Sequence, residues 1–249
     1  MLRTAVSVLV WGATALALVL LLPVLALLWV VTRPFDPGQR IVGRVFRSIG
    51  RVTIGLNPYW DFHLERRSET PFHEPSVVVS NHESEADIFL STLLPWDMKY
   101  LSKDSIYNAP VMGWGMRLAG DIGVVRGDRR SGVKALIECR KKLAAGVSVI
   151  IFPEGTRSRV EEMLPFKDGA FRLAIDAGVP IQPVVVAGTR NALPPGSLRL
   201  GSSRAVVRIL EPVPTTGLSP KDAGALATRV RDQIAQARAD LRKDVGIDA

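Results

Sequence analysis

The sequence predicts an α/β sandwich on a largely parallel sheet, preceded by N-terminal membrane-anchoring helices. Three observations predict it. Short runs of apolar β-formers alternate with helical stretches from residue 76 onward, and the two segments richest in polar chemistry each follow such a run directly. The chain also begins with a long uncharged stretch followed by arginines at helical spacing. Its 249 residues suffice for one full core beside an anchor.

From Ala5 to Val31 there are 27 residues without a charge. As a straight helix they measure about 40 Å, against a hydrocarbon core of roughly 30 Å. The run ends in Trp29-Val30-Val31-Thr32-Arg33-Pro34, without the small-residue cleavage site of a secretory peptide, so residues 1–33 are expected to stay as a membrane anchor. Pro23 allows either a tilted span or a helix that dips in and returns.

Beyond the turn-like Pro34-Phe35-Asp36-Pro37-Gly38, Arg40, Arg44, Arg47 and Arg51 share one helical face, and Ile41, Val42, Val45, Phe46, Ile49 and Val52 the other. Residues 34–58 are therefore expected to form a basic amphipathic helix in the headgroup layer, arginines toward anionic phospholipid. If the apolar run spans, the arginine excess after it places the main domain, 59–249, on the cytoplasmic side of the inner membrane.

Within that domain strands are expected at Ser76–Ser80, Met98–Leu101, Ile122–Val125, Val147–Phe152, Ile181–Val186 and Ala205–Leu210. Helices fall near 85–94, 110–118, 131–145 and 168–177, and a peripheral amphipathic helix runs from Ser219 to about Leu241.

Ligands collect beyond the carboxyl ends of strands in such a sheet. Two segments sit there: Asn81-His82-Glu83-Ser84-Glu85-Ala86-Asp87 and Phe152-Pro153-Glu154-Gly155-Thr156-Arg157-Ser158-Arg159. On one continuous helix, five residues would rotate His82 and Asp87 about 140° apart. A helix starting near Ser84 instead leaves His82 in the loop, free to fold back onto Asp87 in the first turn. A carboxylate on one ring nitrogen then fixes the tautomer and frees the other nitrogen to take a proton from a substrate hydroxyl. A loop histidine beside a helix-capping carboxylate is the plain alternative for any such pair.

The order of four blocks decides between them. His82-x-x-x-x-Asp87, Gly120-Asp-Ile-Gly-Val-Val-Arg126, Phe152-Pro-Glu-Gly-Thr-Arg-Ser158 and Val179-Pro-Ile-Gln-Pro-Val184 together resemble the 1-acylglycerol-3-phosphate acyltransferase family, over roughly residues 75 to 215. The resemblance implies the glycerol-3-phosphate acyltransferase type of α/β sandwich, with 59–249 as the acyltransferase domain. It implies that His82 is the general base on the free hydroxyl of a lysophospholipid, with Asp87 orienting it. Arg157 would bind the substrate phosphate, helped by Arg126, while Glu154, Gly155, Thr156 and Ser158 shape that loop as part of the binding site. A planar guanidinium suits the task because it grips two phosphate oxygens at once. Lys103, where family members often carry a lysine, is a further phosphate contact or a solvated loop lysine. Lys167 and Asp168 resemble the family too, although helix-start chemistry alone explains them.

The expected reaction joins an acyl chain from acyl-CoA or acyl carrier protein to the sn-2 hydroxyl of lysophosphatidate, giving phosphatidate. The alternatives are another lysophospholipid or an aminoacyl lyso-lipid as acceptor, or an anionic-lipid binding module without turnover. No cofactor is expected, and no metal, because His82-Glu-Ser-Glu-Ala-Asp87 lacks the second histidine of a zinc helix. Cys139 is expected in a small core or helix-surface position, with no role as nucleophile. The net charge of +8 calls for an anionic partner; without a nucleic-acid motif or clustered basic and aromatic residues, headgroups and phosphorylated substrates account for it.

Overall fold

The computed structural model describes residues 1–69, 72, 75–158, 162–194, 196–244 and 246. Helices α1 (Leu2–Thr32) and α2 (Arg40–Leu56) precede strand β1 (Trp60–Arg66). Then come β2 (Val77–Ser80), α3 (Ala86–Ser91), β3 (Met98–Lys103), the short α4 (Asp104–Tyr107), α5 (Met112–Leu118), β4 (Ile122–Val124) and α6 (Arg129–Ala144). The chain ends with β5 (Ser148–Ile151), α7 (Gly169–Ala177), β6 (Ile181–Ala187), β7 (Ser203–Ile209) and α8 (Ala223–Asp244).

The strands form one sheet in the order β1-β7-β6-β2-β5-β3-β4, each neighbouring pair parallel except β6 with β7. Strands β6, β2, β5, β3 and β4 therefore point the same way, and their carboxyl ends share one edge. The run Val77-Val78-Val79 is fully buried because both faces are covered. Val77 and Val79 join the core beneath α6, α7 and α8, while Val78 joins the opposite core with α3 and Trp60.

Strand β1 is absent from the sequence expectations, yet Trp60, Phe62 and Leu64 alternate there with Asp61, His63 and Glu65. Charges on one face of an edge strand weaken the apolar signal without preventing pairing. Helix α8 also departs from expectation. It is a core helix, burying Leu226, Ala227, Val230, Ile234 and Leu241.

The N-terminal helices form a hairpin laid against the domain. Ser7, Val10, Thr14, Leu18, Leu25 and Thr32 make a buried stripe along α1. Thr14 and Thr53 meet through their hydroxyls at 3.0 Å between α1 and α2, and the Trp11 indole donates to the Leu198 carbonyl at 2.6 Å. At the other end of α1, the buried Lys99 ammonium donates to the Gln39 carbonyl at 2.7 Å. Both ends of α1 thus rest on one domain, while Leu9, Leu16, Leu20, Leu27 and Val30 are exposed. It is long and apolar enough to cross a membrane.

Helix α2 forms where expected, and its buried face is Val42, Gly43, Ile49, Gly50 and Thr53. Arg44 pairs with Asp97 at 2.6 Å, Arg47 with the buried Asp121, and Arg51 donates to the Thr92 carbonyl at 2.7 Å. Arg40 reaches the Gly146 carbonyl. All four arginines thus have partners on the protein, while the Arg44 side chain stays 71% exposed and Ile41, Val52 and Leu56 are exposed as well. A guanidinium finds fixed carboxylates and carbonyls on the domain, partners that helix periodicity cannot display.

Candidate active site

The shared edge of parallel strands collects the functional side chains. His82 follows β2, Lys103 ends β3, Arg126 follows β4, and the loop Phe152–Ser158 follows β5. As expected, α3 starts after His82, with Asp87 in its first turn. The His82 Nδ1 to Asp87 Oδ2 distance is 2.7 Å. The ring stacks on Phe152 at 4.3 Å between centroids, and His82 lines the adjoining cavity.

Asp87 is fully buried and its oxygens are occupied. Oδ2 also accepts from the Glu83 and Ser84 amides at 2.7 and 3.0 Å, and Oδ1 accepts from the Thr189 hydroxyl. Thr189 lies in the turn after β6, and sequence reasoning missed it. Its only sequence signal is its place beyond a strand end. These donors fix the carboxylate in place, and through it the orientation of the imidazole.

Glu154 holds the loop from below and does not touch the cavity. Oε1 accepts from the His82 amide at 2.8 Å and Oε2 from the Leu164 amide at 2.9 Å. Burial pushes its carboxyl upward, opposed by these two amides and by nearby His82. The Ser158 amide returns to the His82 carbonyl at 3.1 Å, and its hydroxyl donates to the Glu162 carbonyl at 2.7 Å. Glu154 and Ser158, expected at the substrate, thus join the second loop to the first. Gly155 turns that loop at φ +73°, where a side chain would be strained, and Thr156 is exposed. Arg159 lies outside the described residues.

Arg157, Arg126 and Lys103 do line the cavity, as expected. Arg157 pairs with Glu85 at 3.0 Å. Burial lowers the Arg126 guanidinium, and neighbouring Arg157 lowers it further against an opposing pull from Glu85. Two neighbouring guanidiniums on one cavity wall are an arrangement suited to an anion. Beyond it the cavity, about 470 Å³, extends between α1, α2, α3 and α5, walled by Trp11, Leu18, Phe46, Ile49, Phe89 and Met116.

Neither candidate nucleophile is poised. Ser84 Oγ donates to the Leu193 carbonyl at 3.0 Å, while Cys139 is buried on α6 with its thiol pushed up to about 12 by burial. Among the described residues no group of His, Cys, Asp and Glu could hold a metal ion.

Fold and site together define an α/β protein with a buried histidine–carboxylate pair beside a cavity lined by apolar and basic side chains. A profile of the acyltransferase family matches residues 61–187. The chain belongs to the acyltransferase family. It is 35% identical over 212 residues to a 1-acyl-sn-glycerol-3-phosphate acyltransferase of Saccharomyces cerevisiae, covering 84% of this chain and 67% of the relative. It is also 35% identical over 177 residues to a chloroplastic counterpart of Arabidopsis thaliana, covering 70% of this chain and 49% of that one. The chain spans about half the length of the plant and algal relatives it matches. The crystal structure of the 1-acyl-sn-glycerophosphate acyltransferase PlsC from Thermotoga maritima superposes with a TM-score of 0.79 at 23% identity, covering 96% of each chain.

Proposed function

We propose that the protein is a membrane-associated lysophosphatidate acyltransferase. The observation that carries this is one cavity holding three parts: His82 of the dyad, the Arg126 and Arg157 guanidiniums, and apolar walls. The acceptor phosphate sits between the guanidiniums with Lys103 alongside, which brings the sn-2 hydroxyl to the free nitrogen of His82. That nitrogen takes the hydroxyl proton as the oxygen attacks the carbonyl carbon of an acyl thioester. The tetrahedral intermediate collapses, the carbon–sulfur bond breaks, and the proton passes from the imidazolium to the departing thiolate. The apolar walls receive an acyl chain. The donor is acyl-CoA or acyl carrier protein, and no cofactor takes part.

The test is thiol release from an acyl thioester, with lysophosphatidate and with a monoacylglycerol of the same chain. The expected result is release that depends on the phosphate-bearing acceptor; equal use of both would remove lysophosphatidate from the proposal. Rapid-quench mass spectrometry without acceptor should find no acyl adduct, since transfer passes through a ternary complex. A stoichiometric adduct discharged by lyso-lipid would replace the mechanism.

The exposed apolar side of α1 supports attachment to the cytoplasmic face of the inner membrane. Since both its ends rest on one domain, we place α1 along the membrane surface instead of across it. Cysteines substituted for Arg3 and Arg33 should both react with an impermeant maleimide from one side of sealed vesicles, Cys139 being buried. Labelling from opposite sides would establish a span.

A further inference from the structure

The buried stripe of α8 runs through Ala223, Ala227, Val230, Ile234, Arg238 and Leu241, and one of these is charged. Arg238 Nε donates to Glu83 Oε1 at 2.5 Å, with the two side chains 9% and 4% exposed. Glu83 is the residue after His82, and its amide is one of the donors that hold Asp87. Four positions are thereby linked from the last helix to the base. A second route runs in parallel: Arg231 on α8 donates to the Met163 and Leu164 carbonyls, the Leu164 amide donates to Glu154, and Glu154 accepts from the His82 amide.

We infer that Arg238 is a positioning residue for acyl transfer, acting through its buried ion pair with Glu83 to hold the His82 turn. A charged side chain in an otherwise apolar helix stripe is retained at a cost in burial, so its partner is where its effect falls. Glu83 faces His82 and Asp87 from its own turn and from α3, Arg190 from the turn after β6, and Arg238 from α8. Arg238 makes a direct ion pair with it at 2.5 Å, and Arg190 adds a further attraction. Without Arg238, a buried carboxylate is left unpaired one residue from the base and close to Asp87. The turn must then shift to reach water or a proton, and the dyad shifts with it.

This inference rests on His82 being the base, so its test uses one readout that needs no turnover. Arg238→Met should lower kcat roughly tenfold or more while KM for lysophosphatidate stays within about threefold, because the anion seat is untouched. The acid limb of its pH–rate profile should move to higher pH, since an unpaired carboxylate near the imidazole favours the protonated form. Amide exchange at Glu83 and Ser84 should quicken. Arg238→Lys should recover part of kcat by restoring a cation. The double variant Glu83→Gln with Arg238→Met removes both charges and should regain most of kcat and the original acid limb.

Wild-type kcat and acid limb in Arg238→Met would overturn the inference. So would a double variant no better than the single one, which would mean that Arg238 serves only to dock α8. If the wild-type protein fails to transfer acyl groups, the functional proposal falls alone: faster exchange in the single variant and its reversal in the double one still decide whether the pair holds the turn.

Discussion

The two halves of the site are built to different standards. At the dyad, Asp87 is fully buried and accepts from His82, two amides and the Thr189 hydroxyl, so its position is set during folding. At the proposed anion seat, Arg157 is 31% exposed in its side chain and, among the described residues, pairs with the half-exposed Glu85. Proton transfer needs fixed geometry before substrate arrives, whereas a phosphate can organise the guanidiniums that bind it. Substitutions at the dyad should therefore act on turnover, and those at the seat on acceptor use.

The sharpest break of that contrast is His82→Ala. Turnover should fall by ~100 to 10,000-fold with folding and membrane association kept, measured as acyl transfer at saturating acceptor. Near-normal transfer by folded protein would dismiss the dyad. Asp87→Asn should also impair turnover, since the amide no longer holds the same tautomer.

Arg157→Ala should raise KM for lysophosphatidate by an amount worth roughly 1.5 to 3 kcal/mol, with a smaller effect on kcat. Arg157→Lys should recover part of it. An equal loss with a phosphate-free acceptor would show that Arg157 supports the loop instead of the phosphate.

Thr189→Val, close in size, removes one donor to Asp87 and should cost about tenfold in kcat. If it raises KM alone, the division between the two halves is drawn in the wrong place.

The smallest effect concerns the hairpin's attachment. Burial, reinforced by Arg47, lowers the Lys99 ammonium from 10.5 to about 7. Between those values the unfolded chain binds the additional proton, so this group makes stability rise as pH increases above about 7. Denaturant melts from pH 7 to 8.5 should show that slope in wild type and a flatter one in Lys99→Met. An identical slope in both would remove Lys99 as its source.

The strand ends, the helix start after His82 and the dyad were legible because each rests on neighbours in sequence: β-branched runs, and a histidine and carboxylate joined by one turn. Arg126, Arg157 and Lys103 were legible only through the family resemblance, and the parallel strands then bring them to a common edge. How Glu154 shapes its loop was not legible, because its partners are amides at His82 and Leu164, and amides carry no side-chain signal. The protein partners of the α2 arginines were hidden for a related reason. Periodicity gives the face that holds them but not what that face meets.

By itself the sequence determined every strand but β1, which helix opens beside His82, and that His82 and Asp87 are within reach, since local steric and periodic rules act over a few residues. Only the tertiary structure decided that Thr189 closes on Asp87, that Arg238 crosses from the last helix to Glu83, and that α1 lies along the domain. Each joins residues far apart in the chain, and such contacts depend on how the sheet and its helices pack.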